Sequence, residues 1–222
     1  MSSKLSATAQ AGAAAVATHS VSGAPNGADA LIRTLADNGV TACFANPGTS
    51  EMQVVAALDR EPRMRAVLCL FEGVATGAAD GYGRMTDRPA VTLLHLGAGY
   101  ANGGANLHNA RRARTPVVNV VGDHATYHRA YDTPLSSDIA AWVAPNSAWA
   151  RSAKHADEVG PLAAEAVTAS LGPPGGCATL ILPADCAWSP TQVRCAARVR
   201  PSRATPAASR IADVAAAIRS AK

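Results

Sequence analysis

Short apolar runs at 41–45, 65–70, 90–95, 117–121 and 178–182 alternate with stretches of helical periodicity, and that alternation leaves few folds open. Strands joined by ten or more helical residues pair in parallel, because only antiparallel neighbours can be linked by a tight hairpin. The run Pro116-Val117-Val118-Asn119-Val120-Val121 has apolar residues at successive positions, as expected of a strand covered on both faces. The expected fold class is therefore α/β, a mostly parallel sheet of about six strands with helices on both faces. Ligands of such sheets lie beyond the carboxyl ends of the strands. That rule puts the segments at 46–49, 71–72, 95–99 and 122–124 along one rim.

Local signals fill in the helices. Ala30, Leu31, Thr34 and Leu35 recur at helical spacing within 28–38, and Gly39 supplies the stop. After the turn Asn46-Pro47-Gly48-Thr49, Ser50 and Gln53 have capping-box spacing for a helix reaching about Leu58. The helix expected at 72–85 is crowded with Gly73, Ala75, Gly77, Ala78 and Ala79, which would let its backbone approach a neighbour closely. Further helices are expected at 101–113 and 155–171.

Three regions follow from composition. Residues 1–26 are rich in Ala, Ser, Thr and Gly without an apolar period and read as a disordered leader. Residues 27–190 form the domain. Residues 191–222 read as a linker and the start of a missing domain, with a short apolar-periodic helix at 209–220. The chain's ending inside that helix favours a truncated protein over a purpose-built small subunit.

The net charge of +4 comes from 20 Lys and Arg scattered among 16 acids, and no stripe tracks a phosphate backbone. Even the Arg111, Arg112 and Arg114 cluster reads as a solvated helix end, so no nucleic-acid partner is expected. The five cysteines contain no Cys-x-x-Cys pair and read as buried reduced thiols. No apolar run can span a bilayer, and none near the N-terminus serves as a secretory core, so a cytoplasmic protein without a membrane partner is expected.

Several rim residues have both a bland and a chemical reading. Glu72 alone is an acid in a first helical turn, favoured there by the helix dipole. Asn46-Pro47-Gly48 alone is a tight turn. Gly97-Ala98-Gly99 hints at a dinucleotide loop, yet the third glycine of that pattern falls on Asn102, and no Gly-Lys-Ser/Thr loop exists elsewhere. A nucleotide-binding module is thereby disfavoured. His95 closes a strand, where it can relay protons near neutral pH or simply bond a loop. His124 and His128 are four apart but have no clear third ligand, so solvent-exposed or loop-bonding histidines are the better reading and no metal site is expected.

The motifs Asn46-Pro47-Gly48-Thr49-Ser50-Glu51, Phe71-Glu72-Gly73-Val74-Ala75 with Ala78-Ala79-Asp80-Gly81-Tyr82, and Gly97-Ala98-Gly99-Tyr100-Ala101-Asn102-Gly103 occur in that order. Together they resemble the N-terminal, pyrimidine-binding domain of thiamine-diphosphate-dependent enzymes, in particular acetolactate synthase large subunits and benzoylformate decarboxylases. The resemblance covers roughly 27–190. It implies thiamine diphosphate as cofactor, with Glu72 as the glutamate that hydrogen-bonds ring nitrogen N1′ and promotes the imino tautomer. It also implies cofactor contacts from Asn46, Pro47, Gly48, Thr49 and Asn102. His95 falls on the decarboxylase's active-site histidine, and Thr49 on its active-site serine. The substrate class is a small 2-keto acid, decarboxylated or carboligated.

The family's diphosphate-and-Mg2+ domain has no counterpart here, so the resemblance implies a homodimer, or a heteromer with a chain carrying that domain. The alternative is a truncated, non-catalytic domain that folds and self-associates only. Gly122-Asp123, with Asn146 further on, is a decoy of the diphosphate motif, because His124 replaces its last glycine and the segment ends the domain's own fourth strand. FAD, which some relatives use, is left open by these residues. Acetolactate synthases carry a glutamine where this chain has Asp123, which counts against acetolactate synthesis itself.

Overall fold

The computed structural model describes residues 24–193 and 204–221. Asn26, N-terminal to α1 (Gly27–Asp37), accepts from Asp29 N at 3.0 Å while Asp29 Oδ2 accepts from Asn26 N at 3.2 Å. This reciprocal cap satisfies two backbone donors that a helix start otherwise leaves open. The ordered fold thus includes Asn26, one residue before the expected start, and Thr191 N also donates to Pro25 O. Gly39 follows the helix with φ of +81°, a backbone region that glycine enters without steric cost.

The chain then runs β1 (Ala42–Asn46), α2 (Met52–Asp59), β2 (Arg65–Leu68), α3 (Glu72–Thr86), β3 (Ala90–Leu94), α4 (Leu96–Ala113) and β4 (Val117–Asp123). It continues through α5 (Ile139–Val143), β5 (Trp149–Ser152), α6 (Ala156–Leu171), β6 (Cys177–Pro183), α7 (Ala184–Trp188) and α8 (Ala208–Ser220). All six strands are parallel, in the order β2-β1-β3-β4-β6-β5. Strand order reverses between β1 and β3. The crevice beyond their carboxyl ends is where a sheet of this kind holds a ligand.

Each sheet face has its own core. Val91, Leu93, Val118, Val120, Leu180 and Leu182 pack with Leu31, Ile32 and Leu35 of α1 and Val159 and Val167 of α6. On the opposite face Leu94, Val117, Val121 and Ile181 pack with Ala75 and Ala79 of α3, Leu107 and Ala110 of α4, and Val143 of α5. Burying one such Leu or Val stabilises the fold by about 1.5–3 kcal/mol relative to exposure. The second face also carries a buried polar ladder. Thr92 donates to Asn119 Oδ1 at 2.8 Å, Asn119 Nδ2 donates to Thr179 at 3.1 Å, and Thr179 meets Ser147 at 2.7 Å. Thr92, Asn119 and Thr179 are register partners across β3, β4 and β6, and a one-residue slip would leave them unpaired.

The expected closeness of the α3 helix to a neighbour is present against α4. Thr76 donates to Gly103 O, Asn106 donates to Gly73 O at 2.6 Å, and a Cβ on Gly103 would sit 2.6 Å from Thr76 Cγ2. Four of the five cysteines, Cys43, Cys69, Cys177 and Cys186, are free and buried, while Cys195 lies outside the described residues.

Some expectations are corrected. The strand expected at 65–70 ends at Leu68, and the helix expected from 101 begins at Leu96, so Gly97-Ala98-Gly99 forms its first turns. Its glycines serve close packing: a Cβ on Gly97 would sit 2.0 Å from Ser137 Oγ. The edge strand β5 has no apolar alternation, and half of it is exposed, which is why the pattern does not reveal it. No described helix is long and apolar enough to cross a membrane. Residues 1–23 of the leader expected at 1–26, and residues 194–203 and 222 of the segment expected as a linker and domain start at 191–222, lie outside the described residues.

Candidate active site

Four short segments meet at the carboxyl rim. Asn46 ends β1, and its Nδ2 donates to Cys69 O at 2.7 Å, tying together the ends of β1 and β2. The amide expected to touch a cofactor is thus engaged with backbone. Pro47 lines an apolar groove with Val55, Leu58, Met64 and Leu68. Thr49 opens a one-turn 3-10 helix, Thr49–Glu51, and is exposed.

Glu72 is the first residue of α3 and half-buried, at the dipole end that favours a carboxylate. Asn102 of α4, itself exposed, donates to Glu72 Oε2 at 3.0 Å. The other oxygen lies over Gly99, where a Cβ would sit 3.1 Å from Glu72 Oε1 and 3.5 Å from His95 Cβ. His95 immediately precedes α4, and its ring presses on Gly48: a Cβ there would come within 2.3 Å of Nδ1. Gly48, His95, Glu72 and Asn102, named separately from sequence, are thus neighbours around the bare backbone of Gly99.

The capping spacing read at Ser50 and Gln53 is displaced. The carboxylate that reaches back is Glu51, whose Oε2 accepts from Gly48 N at 2.7 Å. The same oxygen meets His95 Nδ1 at 2.8 Å. Glu51 is 1% exposed, and its Oε1 is buried with no hydrogen-bond partner. Burial pushes its carboxyl above the ordinary value, against the Gly48 amide and the His95 ring, which favour the charged form. Space for this side chain exists because residue 122 is glycine, where a Cβ would overlap Oε1 at 1.6 Å. Sequence reasoning gave Glu51 no role. The available signal was its place three residues after Gly48 in a first helical turn.

At the end of β4, Asp123 is held by Arg129 at 2.7 Å and by His124 N at 2.8 Å. His124 Nε2 meets Pro134 O at 3.2 Å, and His128 stacks edge-on with Tyr127, in keeping with loop-bonding histidines. Among the described residues no group of three or more His, Cys, Asp or Glu could hold a metal ion.

A parallel α/β sheet with a carboxylate, an amide, an imidazole and bare glycine backbone at its switch point defines a cofactor-binding class of domain. The family model "Thiamine pyrophosphate enzyme, N-terminal TPP binding domain" matches residues 25–142, and the chain belongs to that family. It is 64% identical over 164 residues to the "Putative acetolactate synthase large subunit IlvX" of Mycobacterium tuberculosis, covering 74% of this chain and 32% of that protein. It is 29% identical over 149 residues to the benzoylformate decarboxylase of Pseudomonas aeruginosa, covering 67% and 28%. Among solved structures, the "putative thiamin diphosphate-dependent enzyme" of Mycobacterium smegmatis superposes with a TM-score of 0.81 at 30% identity, over 89% of this chain and 38% of that one. The chain therefore spans about a third of the length of these relatives. It is an N-terminal thiamine-pyrophosphate-binding domain of acetolactate-synthase-like type.

Proposed function

We infer that this chain supplies the pyrimidine-side half of a thiamine-diphosphate site serving 2-keto-acid decarboxylation or carboligation. The observation that carries this reading is the Glu72 carboxylate at the sheet rim, one oxygen held by Asn102 and the other over the Gly99 backbone. That set fits an aminopyrimidine edge: Glu72 would face a ring nitrogen and share a proton with it, Asn102 holds the carboxylate in one orientation, and Gly99, lacking a Cβ, leaves the carboxylate its place. The cofactor, once bound, supplies the carbanion chemistry that no side chain provides. His95, partly exposed beside Glu72, gives or takes a proton at the substrate carbonyl. Pro47 and Thr49, in the turn after β1, are carried in this reading as cofactor contacts, while Asn46 ties that turn to Cys69 O and Gly48 leaves space for the His95 ring.

The diphosphate and Mg2+ are held by another domain, on a second copy of a longer protein or on a partner chain. The exposed apolar residues beside Glu72 support docking of such a surface: Leu68, Leu70, Phe71 and Val74 are all at least half exposed or close to it, at the end of an edge strand, in the link after it and in the first turn of α3. Covering them would dry the Glu72 carboxyl, which a proton-sharing contact requires. Residues 27–190 are the pyrimidine domain in this reading, and 191–222 lead into the next. FAD is assigned no residue.

The test is turnover. The chain, mixed with a diphosphate-domain protein of the same family, thiamine diphosphate and Mg2+, is expected to release CO2 from pyruvate or benzoylformate, with Glu72→Gln slower by about 10²–10⁴-fold. Tight assembly without turnover on a panel of 2-keto acids would instead support a folded, non-catalytic domain.

A further inference from the structure

The buried carboxyl of Glu51 is used by nothing in the proposed reaction, yet the chain goes to some length to keep it. It lies under the rim, in contact with the His95 imidazole. Two glycines are shaped around the pair, Gly122 against the Glu51 carboxyl and Gly48 against the His95 ring, and neither tolerates a Cβ without displacing it. The residue following His95, Leu96, holds φ of +55° although it has a side chain and is buried. A non-glycine residue in that region is kept only where the surroundings over-determine it, and such positions gather at functional sites. Backbone strain, two close glycines and a buried acid thus converge on the placement of one ring.

Resting on the reading of His95 as the imidazole that faces substrate, we propose that Glu51 is a positioning residue: its carboxylate holds His95 in the Nδ1–H tautomer, leaving Nε2 as a lone-pair acceptor toward the rim. A single oxygen, Oε2, carries the arrangement. It accepts from Gly48 N at 2.7 Å, so the atom facing His95 is an acceptor, and His95 Nδ1 at 2.8 Å must then bring the proton. A neutral imidazole has one N–H, and the bond made by one nitrogen decides the role of the other. Glu51 stays hidden while setting what Nε2 offers.

The tautomer is directly readable in two-bond 1H–15N correlation spectra of the full chain with 15N-labelled histidine. No cofactor is added, so the outcome stands apart from whether thiamine diphosphate binds. The sequence has six histidines, and the His95 signals are assigned by their loss in His95→Gln. At a pH about two units above the ordinary imidazole value of about 6.5, wild type is expected to show a protonated Nδ1 and a bare Nε2. Glu51→Ala should return His95 to the Nε2–H form while the other signals stay in place. Glu51→Gln should preserve Nδ1–H, because Gly48 N keeps the amide oxygen, not the NH2, on the His95 side. Gly122→Ala, which evicts the carboxyl while leaving both partners in the sequence, should act like Glu51→Ala. If Glu51→Ala fails to fold, wild type and Glu51→Gln still decide the matter. Nε2–H in wild type, or His95 signals indifferent to both Glu51→Ala and Gly122→Ala, would overturn the proposal.

Discussion

Two glutamates follow neighbouring parallel strands at the same rim and have opposite surroundings. Glu72, after β2, is half-buried, with Asn102 on one oxygen and the Gly99 backbone beside the other. Glu51, after β1, is sealed beneath His95 with one oxygen unpaired. Both sit in a first helical turn, so helix-dipole reasoning treats them alike. What separates them is the neighbouring strand: β1 is flanked by β2 and β3, whereas β2 is the sheet edge. The inner position gives a buried acid that acts through another side chain. The edge position gives an acid available to a ligand.

The largest effect that sharpens this contrast belongs to Glu72→Gln. In the assembled enzyme it should cut turnover by about 10²–10⁴-fold, the span of one acid–base group. Thermal unfolding of the chain itself should shift by less than the equivalent of about 0.5 kcal/mol, as expected for a surface change. Gly122→Ala should do the reverse to the fold, destabilising it by about 1–3 kcal/mol in urea unfolding, since the added methyl overlaps the Glu51 carboxyl and its Cγ.

A matched pair probes the α3–α4 contact that puts Asn102 against Glu72. Gly103→Ala meets Thr76 and should cost about 1–3 kcal/mol, whereas Gly104→Ala meets nothing within 4 Å and should stabilise α4 by about 0.5–1 kcal/mol. Comparable effects of the two changes would break the claim that these helices are close-packed through specific glycines.

The smallest effect is in pH. The folded-state pKa of Glu51 is raised, so between its ordinary value near 4.5 and that higher folded value the native state binds more protons than the unfolded chain. Its contribution to stability is therefore full below that window and declines as pH rises through it. Glu61 works the other way: Arg63 holds its carboxyl below the ordinary range, so its contribution is present above about pH 4.5 and declines on acidification. Urea unfolding across pH 4 to 7 should show Glu51→Gln gaining stability relative to wild type as pH rises, and Glu61→Gln losing it. Parallel curves for the two variants would erase the distinction between a sealed and a paired carboxylate.

Much of the frame was legible in the sequence because strand and helix periodicities are local. The runs around Val91, Val118 and Leu180 marked central strands, and Glu72 was placed at a strand-to-helix junction on the rim. That Asn102 and Glu72 serve one cofactor was legible only through the family resemblance, and their hydrogen bond was not legible at all, since nothing local says that a helix surface at 102 meets residue 72. Three features escaped. β5 has no alternation to read, because an edge strand needs apolar residues on neither side consistently. Gly97-Ala98-Gly99 looked like a loop because glycine lowers helix propensity, and the tertiary contacts with Ser137 and Glu72 outweigh that cost. Glu51 was passed over because its burial depends on Gly122, 71 positions later.

The central claim is that Glu72, not Glu51, meets the cofactor ring. Its most direct test is calorimetric titration of thiamine diphosphate with Mg2+ into the chain mixed with a family diphosphate-domain protein, using wild type, Glu72→Gln and Glu51→Gln. The account predicts binding in wild type, retained in Glu51→Gln and weakened at least tenfold in Glu72→Gln, about 1.4 kcal/mol. Binding lost in Glu51→Gln and retained in Glu72→Gln would contradict it.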